Sequence, residues 1–140
     1  MAHTDANHFL FWNGNIDTNG TYYTEPIQLG RIPNQAVFLA VQANLVWAAG
    51  GTTCRCYIQT SLDGGETWCD IMCFHMVAAS QRLVGAVCST ITLGGGTLTP
   101  GDGALADDTL IQGLVGDHIR MRMTVAGGYT ATLRVDGVVR

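Results

Sequence analysis

The stretch from Thr53 to Val77 constrains this chain more than any other. Two runs rich in β-branched, aromatic and cysteine residues flank Leu62-Asp63-Gly64-Gly65-Glu66. Glycine tolerates the positive φ angles of a tight reversal, so the segment is predicted to be a β-hairpin turning at Gly64 and Gly65. That turn sets Ser61 opposite Trp68, Ile58 opposite Ile71, Cys56 opposite Cys73 and Cys54 opposite His75. Alternation then gives a core face of Cys54, Cys56, Ile58, Cys69, Ile71 and Cys73, with His75 at its end. The other face, Arg55, Tyr57, Gln59, Trp68, Asp70, Met72 and Phe74, is expected to meet solvent or a partner chain.

The turn itself, Ser61-Leu62-Asp63-Gly64-Gly65-Glu66-Thr67-Trp68, resembles the Asp-box, Ser-x-Asp-x-Gly-x-Thr-Trp, of sialidase propellers and many unrelated β proteins. A carboxylate at Asp63 can accept hydrogen bonds from turn amides while the Trp68 ring packs over the strand exit. This is a folding device. A sialidase is not expected, because a propeller needs many blades and this chain could form barely one.

Composition points the same way. The chain has 140 residues, 47% of them hydrophobic and only 13% charged, which fits one domain with a sizeable core. Eighteen glycines and three prolines, with abundant Thr and Val, favour sheets and turns over helices. The net charge is −4, with seven arginines scattered along the sequence and no lysine. Duplex nucleic acid needs a basic patch to neutralise phosphates, so it is not an expected partner. Neither a charged and apolar leader nor an apolar run long enough to cross a bilayer is visible, so no membrane role and a start in a reducing cytosol are expected. Five cysteines, an odd number, suit that setting.

Residues 1–8 are polar and are expected to form a flexible arm, with a single domain over 9–140. Phe9 to Trp12 suits a first strand or an anchor on a neighbour, and Pro26 after Tyr22-Tyr23 suggests a sheet edge. From Gln35 to Trp47 the apolar residues Val37, Leu39, Val41, Ala43, Leu45 and Trp47 alternate as in a strand, with a helix over Gln35 to Val46 as the competing reading. Gln81 to Leu93 gives one or two more strands. Residues 94–118 form a long Gly-rich loop, with a short strand near Thr109 to Ile111. Ile119 to Val125 and Tyr129 to Val135, joined at Gly127-Gly128, read as a second hairpin. About eight strands with turns every ten residues or so predict an all-β protein, an antiparallel β-sandwich of jelly-roll type.

Candidate chemistry is sparse. Cys54, Cys56, Cys73 and His75 share the predicted core face and offer a Cys3His zinc set, but no Cys-x-x-Cys pair is present. Cys56 and Cys73 could instead form a cross-strand disulfide, and the third reading is five small buried hydrophobes. The pairs Asp107-Asp108 and Asp117-His118, and Asp63, Glu66 and Asp70 near the hairpin tip, assemble no nucleophile, base and orienting group. Gly94-Gly95-Gly96 lacks the lysine of a phosphate loop. No catalytic residue, metal or cofactor is therefore expected. Trp12, Trp47, Trp68, Tyr22 and Tyr23 could form a sugar-stacking platform.

Over about residues 35–136 the layout resembles small β-sandwich virion proteins of tailed bacteriophages. The likeness rests on the apolar strand ending in Trp47, a Gly turn, the strand leading into Ser61 to Trp68, and the closing segment Asp117-His118-Ile119-Arg120-Met121-Arg122-Met123-Thr124. The cysteine-rich hairpin and the long Gly-rich loop depart from it. The resemblance implies a capsid decoration or cement protein, or a tail accessory, assembled in the host cytoplasm and residing in the virion. Expected partners are the major capsid protein, other virion subunits and copies of itself, for example as a trimer. Phe9, Phe11, Trp12, Leu98 and Leu105 are the candidate assembly contacts. The alternative is a carbohydrate-binding or host-recognition module of a phage tail.

Overall fold

The structure is a computed structural model and describes residues 7–29, 36–90 and 97–140. Among these no segment is helical, and nine strands form two antiparallel sheets. They are β1 (Asn7–Ile16), β2 (Gly20–Tyr23), β3 (Ile27–Gln28), β4 (Phe38–Ala49), β5 (Thr53–Ser61), β6 (Cys69–Met76), β7 (Gln81–Cys88), β8 (His118–Ala126) and β9 (Thr130–Val139). The first sheet runs β1-β9-β4-β7 and the second β2-β8-β5-β6, with β3 also on β8. Because β2 and β3 pair with the same strand on either side of Pro26, they act as one interrupted edge strand. Counted that way, the eight strands follow jelly-roll order, changing sheets at every connection except the β5–β6 hairpin.

The period-two reading of β4 holds: Val37, Leu39, Val41, Ala43 and Leu45 are buried and the helix alternative is not adopted. The opposite wall carries Ile119, Met121, Met123 and Val125 of β8. The predicted pairing of Ile119–Val125 with Tyr129–Val135 does not form. Each of these strands has one fully apolar face, and those faces oppose each other across the core, in different sheets. Gly127 and Gly128, both at positive φ, carry the chain from one sheet to the other. They sit against the parallel crossing at Gly50 and Gly51, where Gly51 N donates to Gly127 O at 2.8 Å. A Cβ on Gly50 would run into the Gly128 carbonyl, so the corner has room only for glycine.

The β5–β6 hairpin forms as predicted, but its register does not. Gln59 pairs with Asp70 and Thr60 with Cys69 as expected near the turn. A bulge then inserts Ile71 as an extra residue, so Ile58 pairs with Met72, Cys56 with Phe74 and Cys54 with Met76. One inserted residue exchanges the faces beyond it. Met72, Phe74 and Met76 therefore join Cys54, Cys56, Ile58 and Ile71 in the core, while Cys73 and His75 move to the outer face beside Tyr57 and Arg55.

Strand β1 begins at Asn7, so the expected arm over residues 1–8 gives way to strand at Asn7 and His8, and residues 1–6 lie outside the described residues. The Gly94-Gly95-Gly96 stretch also lies outside them.

Candidate functional site

The outer face of the second sheet is covered by a strap, residues 97–117, that joins β7 to β8. It runs along the free edge of β6, where Asp70 N donates to Gly101 O at 2.8 Å, Cys73 N to Thr109 O at 3.1 Å and Ile111 N to Ile71 O at 2.8 Å. The short strand expected near Thr109 to Ile111 is a single bridge between Leu110 and Met72. Gln112 then fastens the strap to β7, accepting from Cys88 N and donating to Ala86 O, each at 2.9 Å. The strap thus satisfies free edges of both sheets, which would otherwise invite pairing with other chains.

Asp70 anchors it. The residue is 1% exposed, and its carboxylate accepts from Gln59 Nε2 at 2.7 Å and from the amides of Gly103, Ala104 and Leu105 at 3.0, 2.8 and 3.1 Å. Such a set of donors compensates the burial of a charge. Gln59 also donates to Asp102 Oδ1 at 2.7 Å and accepts from Arg120 Nε at 2.8 Å.

Charge complementarity adds to this. The strap brings Asp102 against Arg122, whose Nη1 donates to Asp102 O and Oδ1, both at 2.8 Å. Asp107 meets Arg55 Nε at 2.7 Å and His75 Nδ1 at 3.5 Å. Burial pushes the Asp102 carboxyl up, but hydrogen bonds from Gln59 and Arg122 prevail and hold it below the usual carboxylate range. The Arg55 hydrogen bond does the same for Asp107, against a smaller burial effect. Arg55 and Arg122 are thus paired with the strap, and Arg120 Nη2 lies 3.9 Å from Asp102.

At the strap's margin lies an aromatic and cationic cluster. The Arg120 guanidinium carbon stands 4.4 Å from the Trp68 ring centroid and 4.6 Å from that of Tyr23, and Arg122 stands 5.6 Å from Tyr23. Burial lowers the Arg120 pKa, and the neighbouring Asp102 offsets part of that.

The hairpin tip has the geometry expected of an Asp-box. Asp63 Oδ1 accepts from the Glu66 and Thr67 amides at 3.1 and 2.9 Å, and Oδ2 from the Thr67 hydroxyl at 2.6 Å. Gly64 and Gly65 both take positive φ, and Trp68 Nε1 donates to Gly65 O at 3.1 Å. The side chain of Trp68 thereby turns toward Arg120.

The bulge settles where the cysteines go. Cys54 and Cys56 point into the core whereas Cys73 and His75 lie under the strap, so the four residues do not converge. Among the described residues no group of His, Cys, Asp and Glu has a metal-binding arrangement, and the cysteines form no disulfide. Asp107 is taken up by Arg55 and His75, Asp108 accepts from His75 N at 3.0 Å, and His118 Nδ1 contacts Asp117 at 2.9 Å. Of the candidate assembly contacts, Phe11 is buried in the core, while Phe9 and Trp12 are half-buried against it. Leu98 and Leu105 come together, with Pro100, Ala104 and Ile111, around a pocket of about 350 Å³ that reaches Asp70.

Sequence reasoning did not single out Gln59, Asp102, Arg120 or Arg122. The signal available was the polar pair Gln59 and Asp70 at opposed positions of an otherwise apolar hairpin. No protein-family model matches the chain, and no curated protein or solved structure is significantly similar to it.

Proposed function

We propose that the chain is a non-enzymatic virion structural protein of a tailed bacteriophage, a capsid decoration or cement protein repeated many times against the major capsid protein or other virion subunits. The observation that carries this reading is the outer face of the first sheet. Its cross-strand rows run Leu10, Asp136, Gln42, Val84 and His8, Val138, Ala40, Ala86, with Phe38 and Val46 further along β4. Val84 is 63% exposed and Val46 57%, and Leu10 and Phe38 are nearly half-exposed. Of the charges on this face, Arg134 Nε meets Asp136 at 3.0 Å, and Arg82 stands at its β7 edge opposite Asn44. A broad apolar surface of this kind is what neighbouring subunits cover. The jelly-roll order supports the reading by analogy, since capsid domains use it, as lectin domains do.

Co-sedimentation of the purified chain with capsids assembled without it tests the proposal. Saturable binding, abolished by Val84→Asp, is the expected result. Capsids that ignore the chain would overturn it.

A further inference from the structure

Arg120 is held in a way that leaves part of its binding capacity unused. Tyr23 flanks the guanidinium from β2, and Trp68 flanks it from the hairpin side. Its Nε is spent on Gln59, but its nearest carboxylate oxygen, Asp102 Oδ1, is 3.9 Å from Nη2, beyond hydrogen-bond distance. Among the described residues the η nitrogens have no hydrogen-bond acceptor, and the side chain is 16% exposed, so that edge meets solvent. Beside it, Tyr23 is 52% exposed and Asp102 equally so.

We propose that Tyr23, Trp68, Arg120 and Asp102 form a binding site for an acidic saccharide, one built from uronic-acid rings. A planar guanidinium between aromatic walls presents its η edge to a carboxylate in a two-point contact. The exposed Tyr23 ring offers a flat apolar surface to the C–H face of a sugar ring. Asp102 decides between ligands. An exposed carboxylate beside the cation offers a simple anion or an acidic peptide only repulsion, whereas it accepts hydrogen bonds from the hydroxyls of a sugar ring and so offsets that repulsion. A ligand bearing a carboxylate and several hydroxyls on one rigid ring satisfies every group present. The inference concerns the second sheet and does not depend on the virion reading, which rests on the first.

Titrating the full chain with trigalacturonate by calorimetry tests it, with its fully methyl-esterified form, poly-glutamate and inorganic phosphate as comparisons. Expected is saturable binding of trigalacturonate alone, weakened roughly tenfold by Tyr23→Ala and at least as much by Arg120→Lys, which keeps the charge but loses the fork. Should Arg120→Lys fail to fold, Tyr23→Ala decides, because that ring stands at the surface. Absence of saturable binding would overturn the proposal, as would an unchanged affinity in Tyr23→Ala. Equal binding of poly-glutamate would mark an acidic-peptide surface, and equal competition by phosphate a general anion site; either result overturns it.

Discussion

Gln59 and Asp70 face each other across the β5–β6 ladder, and Gln59 Nε2 donates to Asp70 Oδ1 at 2.7 Å with both residues almost fully buried. Two polar side chains at that depth would destabilise an ordinary sheet face. Here the backbone of residues 103–105 completes the set of donors, so the pair specifies where the strap docks.

Asp70→Asn is therefore expected to unfasten the strap. The new amide group would face donors that the carboxylate now accepts, and leaving two of them unsatisfied costs about 3 kcal/mol. Chemical denaturation should register that loss, with faster hydrogen exchange at Gly103, Ala104 and Leu105. Unchanged stability and exchange would show that the strap is held by other contacts.

The Asp-box predicts a specific acid response. The Thr67 hydroxyl, then the Thr67 amide and the Ser61 hydroxyl, hold the Asp63 carboxyl down to about 2, against an ordinary value of 3.8. A group whose folded pKa is depressed stabilises the fold above its unfolded pKa, and that contribution is lost as pH falls through the folded value. The loss should thus fall between about pH 3.8 and about pH 2. Asp63→Ala should lower stability at neutral pH and flatten the acid limb in that window. A parallel curve for the two proteins would contradict the assignment.

Thiol labelling should resolve three classes of cysteine. Cys88 is partly exposed, whereas Cys54 and Cys56 are fully buried in the core. Cys73 lies under the strap, where burial first and Asp107 second push its thiol up to about 11. Native protein at neutral pH should therefore react first at Cys88, with Cys73 slower and Cys54 and Cys56 following global unfolding. In Asp70→Asn, Cys73 should accelerate together with Cys69, whose thiol lies against Gly101 of the strap, while Cys54 and Cys56 should not. Denatured protein should titrate five thiols.

Gly137 is predicted to be intolerant of a side chain. It pairs with Phe9, and a Cβ there would run into the rings of Phe9 and Phe11, which themselves meet edge to face at 5.1 Å. Gly137→Ala should cost about 1 to 3 kcal/mol through overpacking, read as a lower denaturation midpoint. Wild-type stability would mean that the Phe9 ring moves aside at little cost.

Much of the fold was legible because periodicity carries it. The alternation from Val37 to Leu45 identifies β4, and Asp63 with Gly64 and Gly65 identifies the hairpin. The bulge was not legible, since Ile71 lies in the apolar run Ile71-Met72-Cys73-Phe74 and nothing local marks it as extra. Gly127-Gly128 suits a hairpin and a crossing between sheets equally well, and only the partners of β8 and β9 distinguish them. The cluster around Arg120 escaped for another reason. Tyr23, Gln59, Trp68, Asp102 and Arg120 come from five strands or loops, joined only by strand order and the path of the strap.

The native mass of the purified chain tests most directly the claim that the outer face of the first sheet is covered by other subunits. Light scattering over a concentration series should give a multiple of 14.9 kDa, such as a trimer, for the wild-type chain. Val84→Asp, which puts a charge on that face along its β7 edge, should shift the mass to a single 14.9 kDa chain. A wild-type mass of 14.9 kDa at every concentration would contradict the claim.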